Sequence, residues 1–408
     1  MSTQPNLGYS DADMNRAIDL VQRMVAIPGK SGEESEIIQF IIDRLCQAGR
    51  AGSSIAAIST DRTCNRSPIG GQIGNLVVKL APSSSRARSP RRMFTAHVDT
   101  VPICVGCCPK RRRDRIVNTN PQTGLGADNR TGAAVLLATA ENILRHKLPH
   151  PPLTFFWPVQ EEIGLYGVRH ANLSRLGKAR KSFNFDGGSS SKLTVGATGA
   201  YRMTIVIEGI ASHAGVQPEQ GVSAITIAGL AISALQRGGW LGAVRKRGQN
   251  GGRGTSNIGA IQGGAATNVV TNHAELRAEV RSHNKRFRKR ILDAFCQAFR
   301  DAARRVKNTS GRAGRVRIEH HLDYEGFTLP RNDPSVKAAE AAIKAQGDKP
   351  VRAIVDGGLD ANWLYARGIP TVTLGAGQEN AHTVDEALNL YEFRQACCIA
   401  LRLAVGED

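Results

Sequence analysis

The stretch Phe94-Thr95-Ala96-His97-Val98-Asp99 joins the end of an apolar segment to a polar pair two residues apart. Side chains alternate between the two faces of an extended segment, so His97 and Asp99 are expected to leave the strand on the same side. A neutral imidazole can bind a divalent metal through one nitrogen while a carboxylate orients it through the other. The stretch therefore predicts a metal-ligating histidine with its orienting carboxylate at the end of a strand.

Other potential metal ligands occupy comparable positions along the chain. They are Asp128, in a glycine-containing loop before an apolar helix (133–144), Glu162, after an apolar strand (153–159), Asp186, after a second strand (182–185), and His382, just beyond a third (370–374). In a parallel α/β sheet the carboxyl ends of the strands form one crevice, where ligands bind. Two imidazoles and three carboxylates at such a crevice suit a pair of borderline metals such as zinc, with one carboxylate bridging.

Glu161 and Glu162 are adjacent at the end of a strand that is expected to be buried. Two neighbouring carboxylates repel each other and are costly to remove from water, so a cation is expected beside them. Their side chains diverge, which allows one to bind metal while the other faces the substrate as a general base. Because a metal pair can activate water and polarise a carbonyl, amide hydrolysis is the predicted chemistry.

The composition is that of a globular protein. The chain has 408 residues, 41% hydrophobic and 22% charged, which is enough for two domains with separate cores. No apolar stretch reaches the roughly 18 residues that cross a bilayer, and no secretory signal pattern is present. The eight cysteines do not form a spaced disulfide framework. We expect a cytoplasmic location, reduced thiols and no membrane attachment.

The formal net charge of +19 and the pI near 10.0 raise the question of a nucleic-acid partner. The basic residues occur in short clusters, at 86–92, 110–113, 245–247, 285–290 and 304–307. Aromatic residues make up only 5% of the chain and are not interleaved with these clusters, as a base-stacking surface requires. A solvated basic surface or acidic substrates are therefore favoured over nucleic acid.

The pattern of predicted elements divides the chain into two domains of the α/β class. Residues 199–317 alternate strands and helices and are expected to form a small α+β sandwich, inserted into a discontinuous catalytic domain of residues 1–198 and 318–408. Near the N-terminus, apolar residues at helical spacing predict a first helix. Ser31 and Glu34, three residues apart, predict a capping box that starts a second helix.

Five ordered motifs resemble those of the M20 metallopeptidases, most closely the peptidase T-like (tripeptide aminopeptidase) branch. They are His97-Val98-Asp99, Gly126-Ala127-Asp128-Asn129, Glu161-Glu162, Phe185-Asp186-Gly187-Gly188 and Ala381-His382-Thr383. The resemblance spans essentially the whole chain. It implies a phosphorylase/hydrolase-like zinc peptidase catalytic domain, interrupted by a two-layer, ferredoxin-like lid domain that commonly dimerises.

The resemblance also implies roles for residues of the catalytic domain. Two zinc ions, for which cobalt or manganese could substitute, would be held by His97, Asp128, Glu162, Asp186 and His382. Asp128 would bridge the two ions, Glu161 would act as the general base and Asp99 would orient His97. Asn129 departs from the family pattern, because many members carry a second Asp at this position.

Three residues of the inserted domain match lid residues of the family. His213, in Ala211-Ser212-His213-Ala214-Gly215, matches a histidine that reaches the active site of a partner subunit to stabilise the oxyanion. Asn268 and Arg281 match residues that bind the substrate, the arginine commonly through the substrate carboxylate. A homodimer is therefore the expected assembly.

The predicted function is zinc-dependent hydrolysis of amide bonds in short peptides, as in a tripeptide-type aminopeptidase. N-acyl amino-acid hydrolases and deacetylases share these motifs and form the first alternative. A polyanion-binding protein on an inactive peptidase scaffold is an alternative from another class. The basic clusters favour that alternative, whereas the presence of all five ligands and the base opposes it.

Overall fold

The computed structural model describes residues 9–49, 54–248 and 251–406. In chain order the helices are α1 (Asp11–Ala26), α2 (Ser35–Gly49), α3 (Ala127–His146), α4 (Tyr166–His170), α5 (Leu173–Leu176), α6 (Ala224–Arg237), α7 (Lys285–Arg305), α8 (Pro334–Lys344), α9 (Asp360–Ala366) and α10 (Leu390–Val405). The strands are β1 (Ile55–Thr60), β2 (Leu76–Leu80), β3 (Arg92–Thr95), β4 (Pro109–Arg112), β5 (Arg115–Asn118), β6 (Leu153–Trp157), β7 (Lys181–Phe185), β8 (Lys192–Ala197), β9 (Gly199–Glu208), β10 (Ser212–His213), β11 (Gly242–Lys246), β12 (Gly252–Gly263), β13 (Val269–Val270), β14 (His273–Ser282), β15 (Arg315–Tyr324), β16 (Phe327–Thr328), β17 (Val351–Val355), β18 (Val372–Leu374), β19 (Gln378–Glu379) and β20 (Ala387–Asn389).

The chain folds as two units. The first comprises Met1–Gly196, Thr328–Ile354 and Leu359–Asp408, and the second comprises Ala197–Phe327 and Val355–Gly358. The first unit is therefore discontinuous in sequence, with most of the second unit inserted into it.

The first unit is built on a mixed sheet with nine strands in the described part of the chain. Their order is β1-β2-β6-β3-β7-β18-β8-β16, and β17 pairs with β8. The central strands β6, β3, β7 and β18 run parallel. Every residue of β3, β6 and β18 is buried, as expected for parallel strands that are covered on both faces. The carboxyl ends of these strands therefore lie along one edge of the sheet.

Helix α3 is the most buried helix of the first unit. It contacts α1, α2 and α10, and Asp128 is its only partly accessible residue before Arg145. A Cβ atom at Gly132 would lie 2.0 Å from the carbonyl oxygen of Phe185, so only glycine lets the first turn of α3 approach the end of β7 this closely. This approach brings the start of α3 beside the residue that follows β7.

The second unit is a two-layer structure. Within the described residues its main sheet has five antiparallel strands, in the order β11-β12-β14-β9-β15. Helices α6 and α7 cover the sheet, and their apolar faces form a common core with it that includes Ile205, Leu276, Ile227, Phe295 and Phe299. The predicted α/β class, with an added α+β two-layer unit, is confirmed.

Two local features differ from the sequence-based expectations. The predicted boundary at residue 317 falls inside β15, and the second unit continues to Phe327 because β15 pairs with β9 along its length. The predicted capping box of Ser31 and Glu34 is absent, since α2 begins at Ser35. The Glu34 carboxylate instead accepts hydrogen bonds from the N–H groups of Gly32 and Gln160.

Among the described residues, no helix has both the length and the apolarity that crossing a membrane requires.

Candidate metal centre

The parallel strands bring the candidate ligands to one edge of the sheet in the first unit. His97 follows β3, Glu161 and Glu162 follow β6, and Asp186 comes directly after β7. His382 lies just beyond β19, the short strand that follows β18. Because neighbouring parallel strands end on the same side, side chains far apart in sequence meet there.

His97 lies at the middle of this cluster and is only 2% exposed. Its Nε2 atom is 3.3 Å from Oδ1 of Asp128 and 4.0 Å from Oδ2 of Asp186. Ligand atoms of His97, Asp128 and Glu162 lie within 4.8 Å of one another, and so do those of His97, Glu161 and Asp186. One imidazole nitrogen therefore faces several carboxylates at distances that a shared cation could span.

Asp99 connects His97 to the two glutamates. Its Oδ1 atom lies 3.4 Å from Nδ1 of His97 and accepts a 2.9 Å hydrogen bond from the N–H of Glu161. Its Oδ2 atom accepts hydrogen bonds from the N–H of Glu162 at 3.1 Å and from Oγ of Ser31 at 2.6 Å. The Nδ1 atom of His97 also lies 3.2 Å from the carbonyl oxygen of Asp99, so both the carboxylate and the main chain of Asp99 contact the imidazole, and the carboxylate fixes the main chain that carries both glutamates.

His382 completes the cluster from the opposite side. Its Nε2 atom lies 2.9 Å from Oε1 of Glu162 and 3.3 Å from Oδ2 of Asp128. The residue adopts a φ of +67°, which turns the chain just beyond β19, and its side chain is about half exposed. Asp128 therefore faces both histidines, and the structure brings all five predicted ligands together.

Asn129 donates a hydrogen bond that an ionised aspartate at this position could not donate. Its Nδ2 group donates a 2.8 Å hydrogen bond to the carbonyl oxygen of Phe185. Its Oδ1 atom accepts hydrogen bonds from the N–H of Gly132 at 3.0 Å and from Nε2 of Gln378 at 2.8 Å. An ionised carboxylate has no hydrogen to donate to Phe185. The amide therefore fits the close approach of α3 to β7.

The crowding of carboxylates in this cluster shifts their pKa values. Burial raises the pKa of Asp186 to about 7, and the nearby Asp128 charge adds to the effect. Burial also raises the pKa of Glu161 well above its usual range, although the neighbouring His97 opposes the shift. Hydrogen bonds to Asp128 and Glu162 raise the pKa of His382 to about 10. The cluster thus holds more buried negative charge than the two imidazoles can neutralise.

This donor set fits divalent cations. Buried charges in proteins are normally paired or bound to metal, and two imidazoles with several carboxylates match the nitrogen and oxygen ligands that zinc takes. His97 contacts Asp128, and His382 contacts Glu162. These carboxylates and imidazoles would together bind a cation. Binding of cations would replace protons on these groups and relieve the carboxylate repulsion.

Asp360 interacts electrostatically with His97 and Asp186, but the sequence did not predict it as a site residue. It is the first residue of α9 and is 1% exposed, and neither carboxylate oxygen has a hydrogen-bond partner in the part of the chain that the structure describes. Burial raises its pKa to about 8, with His97 opposing the shift and Asp186 adding to it. The preceding Gly357-Gly358-Leu359 resembles the glycine-containing loop before Asp128, and this signal could have identified it.

The three predicted substrate and oxyanion residues all lie in the second unit. His213, in β10, is exposed, and the main chain of its neighbour Ala214 donates a 2.8 Å hydrogen bond to the carbonyl oxygen of Asn268. His213 and Asn268 are therefore close together. Arg281, in β14, is partly buried and forms a bidentate ion pair with Glu279, with both distances 2.9 Å.

Comparison with protein families gives two matches. Residues 195–307 match the M20 peptidase dimerisation domain, which corresponds to most of the second unit. Residues 75–221 match peptidase family M28, and this range contains His97, Asp128, both glutamates and Asp186.

Relatives that align with this chain over nearly their full length are also peptidases or uncharacterised. A tripeptidase from Staphylococcus aureus subsp. aureus Mu50 has a similar structure, with a TM-score of 0.83 and 28% identity over 96% of this chain and 97% of that one. The aminopeptidase PepT from Bacillus cereus ATCC 10987 has a TM-score of 0.80 and 29% identity over 97% and 99% of the two chains. The uncharacterised protein YqjE of Bacillus subtilis (strain 168) is 29% identical over 92% of this chain and 94% of its own length. Because the dimerisation-domain match and the two solved relatives agree with the five motifs, the chain belongs to the M20 family of peptidases.

Proposed function

We propose that the protein is a metal-dependent aminopeptidase that hydrolyses short peptides, tripeptides in the first place. The observation that carries the proposal is the cluster of two imidazoles and several buried carboxylates at the carboxyl edge of the parallel sheet, in a chain of a peptidase family. The similarity to a tripeptidase and to an aminopeptidase PepT supports short peptides with a free N-terminus as substrates.

In this proposal the cluster holds two zinc ions, for which cobalt or manganese could substitute. The ligands are His97, Asp128, Glu162, Asp186 and His382. Asp128 would be the ligand that both ions share, because its two oxygens face the two histidines separately. When bound, the ions would polarise the scissile carbonyl group and make water more acidic.

Glu161 serves as the general base in this proposal. Its carboxylate accepts the proton of the attacking water and passes it to the amine that leaves. The hydrogen bond from the N–H of Glu161 to Asp99 fixes the main chain at Glu161, so Asp99 positions the base as well as His97.

The second unit supplies the remaining parts of the proposed site. His213 stabilises the oxyanion by donating a hydrogen bond, while Asn268 and Arg281 bind the substrate. Arg281 forms an ion pair with Glu279. To bind the substrate carboxylate, Arg281 must either break this ion pair or bind both carboxylates. The match of residues 195–307 to a peptidase dimerisation domain supports a homodimer formed through this unit.

Hydrolysis of matched substrates by the purified protein tests the proposal. We expect cleavage of a free tripeptide and release of its first residue, with much slower cleavage of the N-acetylated tripeptide and of N-acetyl amino acids. Preferred cleavage of N-acetyl amino acids would instead assign the protein to the acyl hydrolases. Failure to cleave any of these amides with zinc, cobalt or manganese would refute the proposal.

The variant Glu161→Ala tests the division of roles between the two glutamates. We expect the variant to retain two metal ions per chain and to lose about three or more orders of magnitude in turnover. Glu36→Ala, at an exposed position on α2, is the matched control and should change neither quantity. Because Glu161 also lies within reach of His97 and Asp186, loss of a metal ion in Glu161→Ala would make Glu161 a ligand instead of the base.

A further inference from the structure

A cleft of about 530 Å³ lies in the first unit and shares no residue with the metal centre. Its walls come from the end of β1, from a short 3₁₀ turn (Thr63–Arg66) and from the segment that runs from His170 through α5. The volume is in the range of small-molecule sites, about 300–1,000 Å³. The cleft is therefore large enough for a small metabolite.

The carboxylate of Asp61, the side-chain oxygen of Asn172 and the carbonyl oxygen of Thr60, which line this cleft, already accept hydrogen bonds. Asp61 uses Oδ1 to accept from the N–H groups of Thr63 and Asn75, both at 3.0 Å, and Oδ2 to accept from Nδ2 of Asn75 at 2.9 Å. Oδ1 of Asn172 accepts from the N–H and the hydroxyl of Ser174. The carbonyl oxygen of Thr60 accepts a 2.6 Å hydrogen bond from Arg175.

The donors that line the cleft are largely unused. Within the described residues, Arg62 and Arg66 make neither a hydrogen bond nor an ion pair with their side chains. Arg175 uses one guanidinium nitrogen for Thr60, and Nδ2 of Asn172 has no acceptor in the described chain. Since each guanidinium carries five N–H donors, the lining can donate many hydrogen bonds and accept few.

The charged side chains that line the cleft are mostly positive. Its lining carries three guanidinium groups against the single carboxylate of Asp61. Burial lowers the pKa of His170, and the charges of Arg169, Arg66 and Arg367 lower it further. Three guanidinium groups from two chain segments thus line the cleft beside His170, together with one carboxylate that is held by main-chain and amide donors.

We propose that this cleft binds a small phosphorylated molecule through its phosphate group, with Arg62, Arg66 and Arg175 as the phosphate ligands. A phosphate group carries up to two negative charges and several acceptor oxygens, and guanidinium groups bind it in a bidentate geometry. A peptide carboxylate carries only one charge and would leave most of these donors without a partner. The volume of the cleft leaves room for an organic group beside the phosphate, so a phosphate monoester is a better fit than the free ion.

Titration calorimetry on the metal-loaded protein tests this site, with ribose 5-phosphate, inorganic phosphate and ribose as probes. The variant that combines Arg62→Gln, Arg66→Gln and Arg175→Gln removes the proposed ligands. The control combines Lys110→Gln, Arg111→Gln and Arg112→Gln, which removes the same charge from the exposed strand β4. Neither variant changes the binding of phosphate at the metal centre. Binding at the cleft is therefore measured as the part of the affinity that the cleft variant loses.

We expect the wild type and the control to bind ribose 5-phosphate equally and the cleft variant to bind it at least about tenfold more weakly, since each lost charge-assisted hydrogen bond removes about that factor. Ribose alone should not bind. Arginine-dependent binding that is tighter for the ester than for inorganic phosphate identifies a phosphate monoester as the ligand class, and equal binding identifies the free ion.

A single Arg66→Gln variant controls for a folding defect, because the Arg66 side chain makes no hydrogen bond or ion pair within the described chain. It should weaken binding several-fold while the midpoint of thermal unfolding stays unchanged. Equal binding of ribose 5-phosphate by the wild type and the cleft variant, or an equal loss in the β4 control, would overturn the proposal.

Discussion

The carboxylate of Glu386 accepts a 2.9 Å hydrogen bond from the N–H of Asp128, which lies 258 residues earlier in the chain. Its other oxygen accepts a 2.6 Å hydrogen bond from the N–H of Gly126, and the thiol of Cys104 donates to the same oxygen at 3.5 Å. Glu386 is 2% exposed and lies four residues after His382. It therefore ties the loop that carries one proposed metal ligand to the loop that carries another.

Replacing Glu386 should weaken metal binding without removing a ligand. In Glu386→Gln, the amide group must face an N–H donor, so one of the two main-chain hydrogen bonds is lost and the loop before Asp128 is released. We expect metal affinity to fall about 10- to 100-fold, the usual effect of losing a group that orients a ligand. Competition with a chelator measures the affinity, and the absorption spectrum of the cobalt form reports the ligand geometry.

The matched control for this change is Glu392→Gln. Glu392 also accepts two hydrogen bonds, from the N–H and the hydroxyl of Ser190, but it contacts none of the proposed ligands. It should keep wild-type metal affinity and an unaltered cobalt spectrum. An unchanged affinity and spectrum in Glu386→Gln would show that Glu386 serves folding alone.

His213 should act on the active site of the partner subunit. Loss of one oxyanion donor typically costs about 2.7 to 4 kcal/mol in the transition state, so His213→Ala should lower turnover about 10²- to 10³-fold while metal content stays the same. Mixing His213→Ala with Glu161→Ala should restore part of the activity, since a mixed dimer contains one site with both native residues. If mixed dimers form and remain inactive, His213 acts within its own subunit or has no catalytic role.

Asn75 should be important for stability, because it connects three chain segments next to the paired glutamates. Its buried amide donates to Oδ2 of Asp61 and to the carbonyl oxygen of Gly167, both at 2.9 Å, and accepts from the N–H of Val159 at 3.1 Å. Asn75→Ala leaves these buried groups unpaired and should lower the free energy of unfolding by about 3 kcal/mol. Urea unfolding measures the change, and a loss below about 1 kcal/mol would contradict it. The exposed Asn65→Ala should stay within about 0.5 kcal/mol of the wild type.

Glu34 should make the metal-free protein less stable as the pH rises. Burial raises the pKa of its carboxyl group to about 7, and the charge of Asp99 adds to the shift. Because the unfolded chain ionises at lower pH than the folded chain, stability falls between about pH 4.5 and 7 and then levels off. At pH 8 this corresponds to about 3 kcal/mol, at about 1.4 kcal/mol per pKa unit.

Glu34→Gln removes this titration and keeps one oxygen to accept from Gly32 and Gln160. With a chelator present, the variant should therefore be more stable than the wild type at pH 8 and close to it at pH 5, as measured by urea unfolding. The same stability difference at both pH values would show that the effect comes from packing and not from ionisation.

Local patterns were sufficient to identify the ends of the central strands and the residues that follow them. His97, Glu162 and Asp186 follow short apolar runs, and strand ends can be recognised from the change in hydrophobicity alone. Since the carboxyl ends of neighbouring parallel strands share one edge, their clustering followed from the fold class. The assignment of the chain to the α/β class and to a peptidase family was therefore accessible from the sequence.

The tertiary structure decided how these residues are held. The hydrogen bonds of Glu386 to Asp128 and of Asn129 to Phe185 join residues that are distant in sequence. The burial of Asp360, whose carboxylate has no hydrogen-bond partner among the described residues, has no local periodic signal. The assignment of β15 to the second unit likewise depends on its pairing with β9, a strand more than 100 residues earlier. Hydrophobic periodicity encodes which face of an element is buried, whereas hydrogen bonds between distant loops depend on the relative positions that packing gives to those loops.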